Sequence, residues 1–152
     1  MNVDTLPWWR GGGKNRELAA FCASHKVEVM GLAETNRCWH LLDPADRIPE
    51  RFRGWWESQH ATVAYNTCDP HANQFQRGGV ALLSINQAAH RVCGAGRDPS
   101  GLGRWAWTRY MGRGGATVRV TVAYRPVLSE GPFTVYSQQR RFLNDRDDDR
   151  CP

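Results

Sequence analysis

A run of apolar residues that ends in a carboxylate restricts the fold of this chain more than any other feature. The run is Val29–Ala33, and Glu34 follows it directly. Runs this apolar are typical of a strand buried on both faces. A carboxylate is costly to bury without a partner, so we expect Glu34 to lie where the strand leaves the core. Because ligands of open α/β proteins bind beyond the carboxyl ends of strands, Glu34 is a candidate oxygen ligand for a hard cation such as Mg²⁺.

The start of the chain predicts a strand, a helix and a second strand. Asn2–Leu6 reads as the end of a strand, and apolar residues at helical spacing predict an amphipathic helix over Lys14–His25. Val27–Ala33 then forms the second strand. This order implies a parallel strand pair with a right-handed crossover.

The rest of the chain predicts mainly strands. Pro44 and Pro49 exclude a long helix between Arg37 and Trp56. Strands are predicted at Ala61–Tyr65, Val80–Ile85, Trp105–Met111 and Thr117–Tyr124, the last two joined in a hairpin by a glycine-rich turn at Gly112–Gly115. Gly94–Arg104 is predicted to be a loop, and Thr134 to cap a helix that begins at Val135.

The composition favours a globular protein with an anionic partner. Lys and Arg outnumber Asp and Glu by 20 to 15, which gives a net charge of +5, and only Lys14 and Lys26 are lysines. Because arginine contacts phosphate bidentately and stacks on aromatic rings, nucleic acid is the predicted partner. The sequence has no membrane-spanning run and no secretory signal, so we expect an intracellular protein with no membrane partner.

Three other patterns are weak candidates for function. The five cysteines are odd in number and irregularly spaced, which favours free thiols over disulfides or a zinc site. Asn15 follows Gly11–Lys14, so the spacing of a phosphate-binding loop is not met. The carboxylates of 145–149 are expected to form a solvated loop.

The order of these features resembles the N-terminal half of the endonuclease/exonuclease/phosphatase superfamily, the DNase-I-like hydrolases. The segments that carry the resemblance are Asn2–Pro7, Leu32–Asn36, Arg77–Val80 and Val122–Pro126. The resemblance implies a partial four-layered α/β sandwich, in which helices flank mixed, mostly antiparallel sheets. It also implies a Mg²⁺-dependent or Mn²⁺-dependent phosphodiester hydrolase, most often a nuclease.

The resemblance also implies roles for individual residues. Glu34 would bind the metal, Asn2 and Tyr124 would be catalytic, and Asn36 and Arg125 would contact the substrate phosphate. The Asp-x-Asn motif and the late Asp-His pair of the family have no counterpart in 1–152. We therefore expect one incomplete domain over 1–152 that has little activity alone.

Two alternatives remain open at the level of sequence. The chain could be a non-catalytic nucleic-acid-binding module that uses Arg104, Arg109, Trp105 and Trp107, or a truncated remnant with no function of its own. The alternation of residues in Trp105–Met111 favours a half-buried strand with the two tryptophans in the core.

Overall fold

The computed structural model describes residues 1–7, 12–69, 71–131 and 134–144. Within these residues it has an α+β fold with two antiparallel three-stranded sheets. The helices are α1 (Gly13–Ser24), α2 (Ile48–Arg51), α3 (Gln87–His90) and α4 (Val135–Asn144). The strands are β1 (Val29–Ala33), β2 (Gln59–Ala64), β3 (Val80–Ile85), β4 (Val92–Arg97), β5 (Trp105–Met111) and β6 (Thr117–Ala123). The predicted fold class is therefore confirmed.

The first sheet has the strand order β1-β3-β2, and a short N-terminal segment extends it in parallel. Asn2 forms a parallel bridge with Ala33, and the Val3 N–H donates to the Ala33 carbonyl at 3.0 Å. The predicted parallel pairing around α1 is thus present. Lys14 holds this segment in place, because its Nζ donates to the carbonyls of Val3, Asp4 and Thr5 at 2.7, 2.9 and 3.1 Å.

The first sheet is covered on both faces. Met30 and Leu32 of β1 face α1, where they join Leu18 and Cys22 in the main apolar core. On the opposite face a Cβ on Gly31 would lie 3.1 Å from the Val122 side chain, so the second sheet packs closely against β1. Burial of each large aliphatic side chain in such a core stabilises the fold by roughly 1.5–3 kcal/mol.

The second sheet has the order β4-β5-β6, and two polar pairs tie it to the first sheet. The hydroxyls of Thr62 and Thr108 are 2.8 Å apart, and those of Ser84 and Tyr110 are 2.7 Å apart. Because all four side chains are buried, these hydrogen bonds satisfy groups that would otherwise destabilise the interface.

Two sequence predictions about the second sheet are wrong. Residues 92–97 form strand β4, so the predicted loop Gly94–Arg104 is wrong over 94–97. Its Gly96 is required by packing, because a Cβ there would lie 2.6 Å from the Trp107 ring. The buried face of β5 carries Ala106, Thr108 and Tyr110, so Trp105 and Trp107 lie half-buried on the opposite face instead of in the core.

Other predictions agree with the structure. Thr134 caps α4, since its Oγ1 accepts a hydrogen bond from the Ser137 N–H at 3.2 Å. Cys22, Cys38, Cys68 and Cys93 are free thiols. No helix in the described part of the chain is long and apolar enough to cross a membrane. The predictions for 8–11 and 145–152 lie outside the described residues.

Candidate active site at the strand ends

One end of the sandwich collects the ends of strands from both sheets, and Glu34 lies there. β1 and β2 finish at this end and β3 begins there, since Ala33 and Ala64 both pair with Val80. Tyr124 follows β6 at the same end, and its N–H donates to the Arg104 carbonyl at 2.7 Å. We call Glu34, Tyr124, Arg77 and Arg104 the strand-end cluster.

The backbone around Glu34 is held in an unusual conformation. Glu34 and Asn36 have φ values of 58° and 48°, in the left-handed region that L-residues rarely adopt. The Glu34 carbonyl accepts from the Thr5 N–H at 2.9 Å, and the Thr35 N–H donates to the Gly79 carbonyl at 3.2 Å. Hydrogen bonds on both sides thus keep the chain in a conformation that costs of order 1–3 kcal/mol per residue, a pattern that is frequent at functional sites.

The Glu34 carboxylate lies close enough to Tyr124 to act on its hydroxyl. Burial raises the pKa of Tyr124 and the neighbouring Glu34 carboxylate raises it further, whereas Arg77 and Arg104 lower it. The tyrosine is therefore a protonated hydrogen-bond donor at neutral pH. A carboxylate, a phenol and two arginines are drawn together here from four separate segments of the chain.

Arg104 connects three elements at this end of the molecule. Its Nε donates to the Tyr124 carbonyl at 2.8 Å, and its Nη1 donates to the Gln139 side chain of α4. Its backbone N–H donates to Asp98 Oδ2 at 2.8 Å. Because these hydrogen bonds engage its guanidinium, Arg104 acts mainly to hold the ends of β5, β6 and α4 together. From this position its positive charge also acts on Tyr124.

A buried amide network supports the loop before β3. Asn66 Nδ2 donates to the Arg77 carbonyl at 2.8 Å and to Gln138 Oε1 at 2.7 Å, and Gln76 Nε2 donates to the same oxygen at 3.4 Å. A Cβ on Gly78 would lie 3.6 Å from Tyr124 Cε1. The network therefore fixes the glycine against which the Tyr124 ring packs.

Asn36 has a buried place beside the cluster. Its Oδ1 accepts from the Gly78 N–H at 2.7 Å, and its backbone N–H donates to the Gly78 carbonyl at 2.9 Å. The side chain is 7% exposed. It thus joins the end of β1 to the loop before β3, and its predicted contact with substrate stays a prediction.

Asn2 pairs with Ala33, the residue before Glu34, and Arg125 directly follows Tyr124. The hydrogen bonds found among the described residues do not link either side chain to the strand-end cluster. Asn2 Oδ1 accepts from the Asp4 N–H at 2.9 Å, which closes a turn next to β1. Arg125 follows Tyr124 and is exposed. The predicted catalytic role of Asn2 and the phosphate contact of Arg125 stay predictions.

The donor set of the cluster fits only part of a magnesium coordination shell. Glu34 supplies one hard oxygen ligand, and Mg²⁺ is often held by one or two carboxylates together with water and substrate phosphates. Among the described residues no group of three or more His, Cys, Asp and Glu side chains could hold a metal ion. Glu34 therefore fits a weakly bound Mg²⁺ that takes its other ligands from water and a phosphate.

Sequence reasoning missed Arg77, Asn66 and Gln138. Arg77 lies in the Arg-Gly-Gly segment that carried part of the resemblance. A cation followed by two glycines at the start of a strand could have indicated it as a site residue. Asn66 and Gln138 gave no such pattern, because a single amide in a loop or helix does not indicate its partner.

A comparison of the chain with protein-family models gave no match, and a comparison with curated protein sequences gave none.

Proposed function

We propose that this chain carries the Glu34 end of a Mg²⁺-dependent phosphodiester hydrolase site that acts on nucleic acid. The observation that carries the proposal is the proximity of Tyr124 and Glu34 at the end of the sandwich where β1 and β2 finish and the Tyr124 ring packs beside Gly78. The resemblance to the endonuclease/exonuclease/phosphatase superfamily names Glu34 and Tyr124 as site residues. Their contact across the two sheets supports that reading, because the two segments have no local reason to meet.

Each residue of the strand-end cluster has a distinct part in this proposal. The Glu34 carboxylate would hold the metal, and a metal bound there would supply polarisation of the scissile phosphate and stabilisation of its leaving oxygen. Tyr124 keeps its proton at neutral pH and donates a hydrogen bond toward the carboxylate or a phosphate oxygen. The exposed guanidinium of Arg77 attracts the phosphate, and Arg104 adds positive charge from its fixed position.

The cluster alone is expected to be a weak metal site and a poor catalyst. One carboxylate holds Mg²⁺ loosely, and a second anionic ligand normally comes from the protein or the substrate. We therefore expect the chain to nick supercoiled DNA no faster in Mg²⁺ than in EDTA. Clear Mg²⁺-dependent nicking that is lost in Glu34→Gln would show that the cluster suffices for catalysis.

Metal binding itself gives the sharper test. Substoichiometric Mn²⁺ is added to isotopically labelled protein, and the broadening of backbone amide signals is recorded by NMR. We expect selective broadening at Glu34, Thr35, Gly78 and Tyr124, with a dissociation constant in the millimolar range. A phosphodiester such as a thymidine dinucleotide should tighten Mn²⁺ binding, because its phosphate oxygens complete the coordination shell.

The chain offers a matched control for this experiment. Glu28 precedes β1 and Glu34 follows it, so Glu28→Gln removes the same charge at the opposite end of the same strand. Glu34→Gln should abolish the selective broadening and Glu28→Gln should preserve it. Broadening that survives Glu34→Gln, or that is confined to other acidic side chains, contradicts the proposal.

A further inference from the structure

The outer face of the second sheet is open and positively charged. It carries Trp107, Arg109 and Met111 of β5 and Arg119 of β6; Trp107 is half-buried and the other three side chains are exposed. Residues 87–128 contain seven arginines and one acid, Asp98. Asp98 is 7% exposed and accepts hydrogen bonds from the Ser100 hydroxyl and the Arg104 N–H, so it does not neutralise this face.

Trp107 and Arg119 form a fixed stack on this face. The Trp107 ring lies across Gly96 of the neighbouring strand, where a Cβ would come within 2.6 Å of it. The Arg119 guanidinium lies over the same ring, with its Cζ 4.3 Å from the ring centroid. The indole and the guanidinium therefore form a cation–π pair on the outer face, and the exposed Arg119 offers a planar, cationic group there.

Arg109 adds a second cation directly beside this stack. Its guanidinium lies over Gly94, where a Cβ would be 3.2 Å from Nη2. Arg109 is also the direct cross-strand partner of Arg119. Like charges opposite each other in a sheet are destabilising. The ion pairs found among the described residues join Arg53 to Glu50 and Arg140 to Glu130, and neither involves this face.

We propose that this face, defined by Trp107, Arg109 and Arg119, binds single-stranded nucleic acid. Two opposed arginines with no acid between them are electrostatically complementary to a phosphate. The flat guanidinium of Arg119 provides a stacking surface for an unpaired base, whose π-face a duplex keeps hidden. The two glycines of β4 keep the platform flat by making room for the side chains of β5.

The proposed surface is separate from the metal ligand but is connected to it along β6. Arg119 lies in β6, and Tyr124 directly follows this strand, five residues further along the chain. This separation corresponds to about 17 Å of extended chain. A bound strand that follows β6 would therefore run toward the strand-end cluster. Binding at the face does not depend on Glu34, so the two proposals can fail independently.

Fluorescence anisotropy with a labelled 12-nucleotide single-stranded DNA tests the proposal. The double variant Arg109→Gln/Arg119→Gln should weaken binding at least tenfold. It should also lower the slope of log affinity against log salt by roughly 1.4, because each phosphate contact to a single strand contributes about 0.7. Arg16→Gln/Arg53→Gln removes the same charge from exposed positions elsewhere and should change the dissociation constant less than threefold.

Two further variants keep the test decisive. Arg109→Lys/Arg119→Lys preserves the charge and the fold but removes the planar guanidinium, so binding should weaken while the salt slope stays. Glu34→Gln should leave oligonucleotide binding unchanged even where it abolishes Mn²⁺ binding. Thermal unfolding of every variant shows whether the fold is retained.

Four results would overturn the proposal. Equal losses in the two glutamine double variants would mean general charge attraction, and an unchanged affinity in the lysine variant would remove the stacking role. Equal affinity for a duplex of the same length would exclude recognition of unpaired bases. Binding to vesicles of anionic phospholipid without binding to the oligonucleotide would assign the face to a membrane surface.

Discussion

The two sheets have the same number of strands and the same antiparallel pairing, yet they differ in what their faces contact. In the first sheet every residue of β3 is buried, because α1 covers one face and the second sheet covers the other. In the second sheet only the inner face is buried, and the outer face carries arginines and a tryptophan. The difference separates two tasks, since the first sheet stabilises the fold while the second leaves side chains free to bind.

Glycines with the same backbone angle provide the strongest test of this difference. Gly79, next to the first sheet, has φ +82° and a Cβ there would lie 2.5 Å from Thr35 Oγ1. Gly115, in the β5–β6 turn, has φ +79° with nothing within 4 Å. Gly79→Ala should lower the free energy of unfolding by roughly 2–5 kcal/mol from strain and overpacking, and Gly115→Ala by about 1 kcal/mol from strain alone. Urea denaturation of both variants measures this, and equal losses would contradict the packing difference.

Alkaline titration tests the burial of Tyr65, which follows β2 and packs against the core of the first sheet. Burial raises the pKa of Tyr65 to about 12. The folded protein therefore binds more protons than the unfolded chain between pH 10 and 12. The free energy of unfolding should therefore fall by about 2–3 kcal/mol as the pH rises from 10 through the pKa of Tyr65 in the folded protein. The pH dependence of urea denaturation should show this loss.

Tyrosine variants separate the two contributions to that pH dependence. Tyr65→Phe should remove most of the loss between pH 10 and 12. Tyr124→Phe should remove a smaller part, because the pKa of Tyr124 is also raised, chiefly by burial and by Glu34. A pH dependence that is the same in Tyr65→Phe as in the unchanged protein would show that Tyr65 is not protected by the core.

The smallest expected effect lies on the outer face of the second sheet. Arg109→Glu replaces a like-charge pair with an opposite-charge pair opposite Arg119, which should raise the free energy of unfolding by about 0.5 kcal/mol. The same variant should lose oligonucleotide binding. Urea denaturation and anisotropy on one sample test both results, and a substantial destabilisation would show that Arg109 serves the fold.

Much of the fold follows from local sequence patterns. The strand Val80–Ile85 has the bounds predicted for it, the hairpin turns at its glycines, and α4 begins after the Thr134 cap. The loop prediction was wrong over 94–97 because glycines favour loops locally, whereas in β4 they accommodate side chains from the next strand. That requirement comes from Trp107 and Arg109, which no local pattern links to these glycines.

The candidate site was predictable only in part, for the same physical reason. The position of Glu34 at a strand end follows from an apolar run before a carboxylate. Its proximity to Tyr124 and the hydrogen bond between Asn66 and Gln138 depend on how the sheets and α4 pack. Such contacts join residues that are distant in the chain, so sequence spacing carries no information about them.

The sequence by itself determined where α1, α4, the hairpin turn and every strand but β4 lie, because hydrophobic periodicity, proline and glycine act over a few residues. It also determined the positive charge and the carboxylate after β1. Only the tertiary structure decided which face of β5 is buried, because strict alternation provides two faces and either can pack inward. The sheet packing chose the face with Ala106, Thr108 and Tyr110, and so left Trp107 and Arg109 outside.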